Sequence, residues 1–203
     1  DNYEAQQLIG ATWAQLQLPL WTFLDVSGGV RVEHSSQTVS TFELFNPDQT
    51  PVQATLSTTD ILPAVTTTVA LPLDMQLRFA GSMTVSRPDF RELSPATFND
   101  VTGGRQVFGN PDLERALIAS ADARWEWYPK AGTSLSTAVF YKHFDKPIEQ
   151  VVVLSAQQSI TYANAEYADN IGAEIEGRVE GDIVHPWLDG FFVGGNATLT
   201  WSQ

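Results

Sequence analysis

The sequence predicts an all-β protein, an antiparallel meander of about eight strands with the pattern of a transmembrane β-barrel. Three observations carry this. Apolar and polar residues alternate with period two in stretch after stretch, short and long connections alternate between those stretches, and aromatic residues gather beside the short connections.

Taken from the N-terminus, the pattern opens weakly, since Ile9–Leu18 alternates imperfectly around Trp13. Leu24, Val26, Gly28, Val30 and Val32 then oppose Asp25, Ser27, Arg31 and Glu33, which separates an apolar face from a polar one. Ala64–Leu71 is a Thr- and Val-rich run with broken alternation. Met75–Val85 is clean: Met75, Leu77, Phe79, Gly81, Met83 and Val85 oppose Gln76, Arg78, Ala80, Ser82 and Thr84. Leu117–Trp127 sets Leu117, Ala119, Ala121, Ala123, Trp125 and Trp127 against Ser120, Asp122, Arg124 and Glu126. Leu135–Ile148 is ambiguous, because Phe140 and Phe144 share a parity with Lys142 and Lys146. Tyr167, Ile171, Ala173, Ile175 and Val179 oppose Glu166, Asn170, Glu174, Glu176 and Arg178. Phe191–Trp201 closes the series, with Asn196, Thr198 and Thr200 on its polar side.

Between these strands, LPLW (18–21), LPLD (71–74) and YPKAGTS (128–134) read as short turns, and 180–190 as a longer link of the same kind. Residues 46–60, 88–111 and 154–164 read as long loops. An up-and-down meander puts the two kinds at opposite ends, which is the pattern of an outer-membrane barrel. Trp21, Trp125, Trp127, Tyr128, Trp187 and Phe191 lie near the short-turn ends, where amphipathic rings suit a headgroup layer. The same aromatics would also suit the core of a soluble sandwich, so both readings stand on spacing alone.

Composition narrows the function. A net charge of −13 leaves no basic stripe for nucleic acid. With no cysteine in 203 residues, thiolate catalysis, Cys-ligated zinc and disulfide scaffolds are excluded. His34, His143 and His185 are scattered without ligand spacing, and there is no nucleophile elbow. No enzyme activity, metal or cofactor is expected.

Four segments carry a family resemblance: SRPDFRELSP (86–95), GNPDLERALI (109–118), FYKHFDKPIEQV (140–151) and YANAEYADNIGAEIEG (162–177). In that order and spacing they resemble the C-terminal half of the barrel of a TonB-dependent outer-membrane receptor. VSGGVRVEH (26–34) and DILPA (60–64) are similar to further landmarks. The resemblance implies a bacterial outer-membrane barrel of 22 strands around a plug domain. It implies uptake of a scarce nutrient of the siderophore, haem, cobalamin or oligosaccharide class, energised by a TonB-type inner-membrane protein. Its partners would be outer-membrane lipid, the plug and the remaining strands. Residues 1–203 are expected to be a single all-β segment of such a receptor, without plug, coupling box or terminal strand.

Under this reading Arg87, Asp89, Arg91 and Glu92, with Asn110 and Asp112, are candidate rim or plug contacts. Arg78, Arg124, Glu126, Glu174, Glu176 and Arg178 are candidate lumen residues. In a large barrel they grip a plug, whereas in a closed eight-stranded barrel they pair with one another inside. The acids Asp48, Asp60, Asp89, Glu92 and Asp100 are expected on outward loops, repelling anions or binding cations. Two rivals remain: a self-contained eight-stranded barrel with a structural or adhesive role, and a soluble carbohydrate-binding module.

Overall fold

The computed structural model describes residues 3–41, 52–94, 96–99, 106–153 and 159–203. Strands β1 (Tyr3–Trp21), β2 (Leu24–Thr41), β3 (Val52–Leu71) and β4 (Met75–Ser86) lead into a one-turn helix, α1 (Phe90–Leu93). Two short strands follow, β5 (Thr97–Asn99) and β6 (Gln106–Phe108), then β7 (Ala116–Lys130) and β8 (Thr133–Asp145). The chain ends with β9 (Ile148–Val153), β10 (Ser159–Asn164), β11 (Tyr167–Glu180) and β12 (Phe192–Ser202).

The eight long strands form one antiparallel sheet in the order β1-β2-β3-β4-β7-β8-β11-β12. Every stretch read as a strand from periodicity lies in this meander, the imperfect Leu135–Ile148 only as far as Asp145. Cross-strand register shows why the pattern works. Leu18, Val26, Thr67, Phe79, Ala123, Val139, Ala173 and Leu199 stand side by side in one row. Leu16, Gly28, Val65, Gly81, Ala121, Tyr141, Ile171 and Trp201 form the next row on that face. Between them runs the opposite face, with Gln17, Ser27, Thr66, Ala80, Asp122, Phe140, Gly172 and Thr200. The apolar face is uncovered: Leu16 is 70% exposed and Leu199 79%. Each apolar row lies close above the 22–23 turn in β2 and far above the 181–191 link in β12. That progressive stagger is what tilted strands in a barrel require.

Several sequence expectations are corrected. The first short turn is Thr22–Phe23, and 18–21 belongs to β1. Pro19 is accommodated because β1 is an edge strand with a register shift between Pro19 and Trp21. Residues 52–60 of the expected 46–60 loop are the upper part of β3, paired with β2 from Glu33 to Thr41. Alternation fails there because neither face of that hairpin is uniformly apolar. The ambiguous segment breaks at Lys146, whose φ of 55° ends β8 and starts β9. Phe140, Lys142 and Phe144 all take the polar face, opposite Gly172, Asn170 and Ala168. Residues 46–51, 95, 100–105 and 154–158 of the expected loops, with Asp48 and Asp100, lie outside the described residues.

The long connections are not bare loops. A second sheet, in the order β5-β6-β10-β9, joins them, with β6 and β10 parallel through Ser159–Gln106 and Ile160–Val107. It sits at the end of the large sheet opposite the short turns. Beneath it Val39, Ala54, Leu93 and Leu113 make the small buried core, flanked by Ala5, Phe90, Ile148 and Tyr162. Val39 and Ala54 share the polar face with Glu33 and Asp60, so that face changes with height. It is charged near the short turns and covered by folded connections at the far end. No pairing joins β1 to β12 among the described residues, so the closed eight-stranded barrel is not the arrangement found.

Candidate functional site: the polar face of the sheet

Two clusters occupy this face. Near the short turns, register alone places Arg78, Arg124, Ala138 and Glu174 in one row, and Gln76, Glu126, Ser136 and Glu176 in the next. Arg78 and Arg124 are direct cross-strand neighbours, a pairing of like charges that is unfavourable by itself. Carboxylates one row away relieve it. Glu126 lies 3.5 Å from Arg78, and Glu174 lies 3.3 Å from Arg124. Glu126 also accepts from the Gln76 amide. Glu176 stands 4.0 Å from Arg124 at the exposed end of the ladder. Arg178 pairs with Glu180 at 2.9 Å, donates to the Gly132 carbonyl at 3.1 Å and stacks 3.8 Å from the Phe192 ring centre. All six candidate lumen residues thus share one face; Glu126 is buried within the ladder, whereas Glu174 and Glu176 stay partly open to further donors.

The second cluster sits where the connection between β4 and β7 folds over the β2–β3 hairpin. Glu33 and Asp60 face each other across the two strands. Two carboxylates so placed repel, and Arg87 bridges them, 2.9 Å from Glu33 and 3.0 Å from Asp60. Arg115, at the far end of the same connection, binds the other oxygen of Asp60. Thr58 donates to Asp60 at 3.2 Å, and the Asp60 side chain is 0% exposed. Arg31 closes on Glu33 at 2.6 Å. The outward apolar run of β2 ends at Val32, so Glu33 sits above it. There the Arg31 guanidinium, helped by Arg87, holds its carboxyl below the usual carboxylate range. Next along β2, the Gln37 amide donates to the Pro88 carbonyl at 2.8 Å. Both ends of the 87–115 connection are therefore tied to the same buried acid.

The turn within that connection follows from its sequence. Pro88 stops the ladder of β4, and Asp89 starts α1, its N–H donating to the Glu92 carboxylate at 2.8 Å. Gly109 then crosses the end of α1 so closely that a Cβ there would overlap the Ser94, Arg91 and Glu92 carbonyl oxygens. The Asn110 side chain donates to the Tyr162 carbonyl at 2.9 Å and accepts from the Asp112 N–H at 3.0 Å. Asn164 completes the link between the two long connections. Its side chain accepts from the Glu114 N–H at 2.8 Å and donates to the Glu114 and Lys146 carbonyls at 3.0 and 2.8 Å.

Of the candidate rim residues, Arg87 is in the buried cluster, Asp89 and Glu92 shape α1, and Asn110 with Asp112 forms a turn. Arg91 lies in the last turn of α1 and is exposed. Asp60, expected on an outward loop, is instead the buried centre of a strand-borne ion cluster. Sequence reasoning did not single out Arg115 or Asn164. The signal that points to them is positional, since each ends a segment, GNPDLER or YAN, just before a long strand.

A family profile described as "TonB dependent receptor-like, beta-barrel" matches residues 1–203. No curated protein matches the chain significantly in sequence. Among solved structures, the siderophore receptor PirA from Pseudomonas aeruginosa aligns with a TM-score of 0.64 at 13% identity, over 98% of this chain and 43% of its own. The copper transporter OprC aligns with a TM-score of 0.73 at 13% identity, over 98% and 29%. The Serratia marcescens hemophore receptor HasR, in a complex with hemophore HasA and heme, aligns with a TM-score of 0.61 at 12% identity, over 96% and 41%. At such identities the likeness is one of fold, and the chain spans less than half the length of each.

Proposed function

Because the chain belongs to the TonB-dependent receptor β-barrel family, we propose that it forms part of the wall of an outer-membrane receptor that imports a scarce nutrient. The observation that carries this reading is the two-faced sheet. One face is a continuous uncovered apolar surface, and the other carries charged rows under a folded cap. The apolar face meets lipid, because a patch of that extent has no place in water. The polar face lines the lumen, where the Arg78–Glu126 and Arg124–Glu174 ladder meets a plug. The short turns lie on the periplasmic side, and the capped end faces outward.

The nutrient belongs to the siderophore, haem, cobalamin or oligosaccharide class, with copper added by the fold neighbour OprC. A TonB-type protein energises passage through the plug. The wall itself carries no reaction: it binds and positions. The test is uptake by cells that depend on the intact receptor, supplied in turn with a ferric siderophore, haem, copper, cobalamin or an oligosaccharide. One of these should lose uptake when residues 88–111 and 154–164 are deleted while the barrel still assembles. Unchanged uptake of every nutrient after that deletion would sink the assignment of these connections to ligand handling.

A further inference from the structure

We infer that the β3–β4 turn and the indoles beside it form a binding niche for a phospholipid with an ammonium-bearing headgroup, such as phosphatidylethanolamine. The inference rests on the membrane-wall reading above. A cavity of about 450 Å³ opens on the apolar face at the short-turn margin, lined by Leu73, Asp74, Met75, Trp125, Trp127 and Pro129. Its walls share the lipid-facing parity, because Met75 pairs with Trp127 and Leu77 with Trp125. It is therefore continuous with the surface that acyl chains already cover.

Three further observations make it more than a gap between side chains. The turn holds two non-glycine residues in the left-handed region, Leu73 at φ 64° and Asp74 at φ 56°. A leucine there is strained, and such strain persists where the conformation serves a purpose. What this conformation does is hold Leu73 out, 77% exposed, at the mouth of the cavity. The backbone of the turn is in turn pinned, with the Tyr128 N–H donating to the Asp74 carbonyl at 3.0 Å. Lastly, the Asp74 carboxylate has no partner among the described residues, although it stands beside two indoles. A carboxylate and aromatic faces at the mouth of an apolar cavity are the groups that recognise an organic ammonium, by charge and by cation–π attraction. The acyl chains lie against Leu73, Met75 and Trp125, and the ammonium reaches Asp74 and Trp127 at the headgroup layer.

The test is native mass spectrometry of the complete receptor barrel, extracted in mild detergent and offered equimolar phosphatidylethanolamine and phosphatidylglycerol of the same acyl chains. The expected result is a several-fold excess of retained phosphatidylethanolamine, which Asp74→Asn brings to parity and Asp74→Glu preserves. Trp127→Leu should reduce the excess without reversing it, and serves as the second probe if Asp74→Asn fails to assemble. Equal retention of both lipids by the unaltered protein would overturn the niche and leave the membrane wall intact. An excess that survives Asp74→Asn would overturn it as well. Retention of neither lipid would likewise overturn the niche, and the membrane wall would stand or fall on detergent dependence.

Discussion

Asp60 shows how much one residue can organise. Its carboxylate is fully buried and receives Arg87 and Arg115 from the two ends of one connection. Removing one partner of a buried ionic cluster leaves charge uncompensated and costs about 3–5 kcal/mol. Asp60→Ala should therefore release the 87–115 segment, and trypsin added to intact cells should then cut after Arg91 or Arg115, while the Arg87–Pro88 bond resists it in any state. Resistance equal to that of the unaltered protein would show that the cluster does not hold the segment. Glu33 gives the pH dependence. Its folded-state pKa is depressed by Arg31 and Arg87, so its contribution is present above the unfolded value, about 4.3. It fades as pH falls through the lower folded value. The connection should stay protected from trypsin at neutral pH, and should open to an acid-active protease only below the ordinary carboxylate range. In Glu33→Gln the part of this loosening due to Glu33 disappears. Sequence parity already put Glu33 on the polar face. Parity does not place Asp60 on a strand, because the upper part of β3 does not alternate, and its partners lie 27 and 55 residues away.

At the scale of elements, two close approaches decide what the strands and connections tolerate. In β11, a Cβ at Gly172 would overlap the Phe140 ring and the Leu199 carbonyl. The missing side chain is what lets Phe140 lie flat on the polar face. Gly172→Val should force that ring off the wall at a cost of about 1–3 kcal/mol from overpacking. A lower temperature for loss of the heat-resistant barrel band in gels would register it. In the cap, Asn164 makes three hydrogen bonds that tie the 87–115 connection to the 146–166 one. Asn164→Ala should cost about 1 kcal/mol per bond, and the Glu114 amide should lose hydrogen-exchange protection while the strands of the large sheet keep theirs. The element boundaries were legible wherever one face is uniformly apolar. They were illegible in the upper β2–β3 hairpin, whose two faces are both mixed. They were illegible also in the small sheet, whose strands are as short as three residues and owe their pairing to each other rather than to a period.

At the scale of the whole molecule, the apolar face sets the solvent. Its rows leave Ile171, Leu199 and Trp201 between 59% and 79% exposed, and β1 and β12 present strand edges. The purified chain should be β-rich and monodisperse only in micelles, by circular dichroism and size-exclusion chromatography with and without detergent. A β-rich monomer in plain buffer would overturn the lipid assignment and return the soluble binding module to consideration.

The division between sequence and structure follows from what each interaction depends on. Which face of a sheet a residue takes depends only on parity, and parity is a property of the chain read two residues at a time. Composition and period alone were therefore enough for the all-β class, the eight long strands, the two faces and the polar-face parity of Arg78, Arg124, Glu126, Glu174, Glu176 and Arg178. Contacts between distant segments depend on where strands stop and how connections return. The clamp on Asp60, the closure by Asn164, the four-stranded cap and the niche at Leu73–Asp74 were for that reason decided only when the chain folded, because no local pattern encodes which remote side chain will arrive.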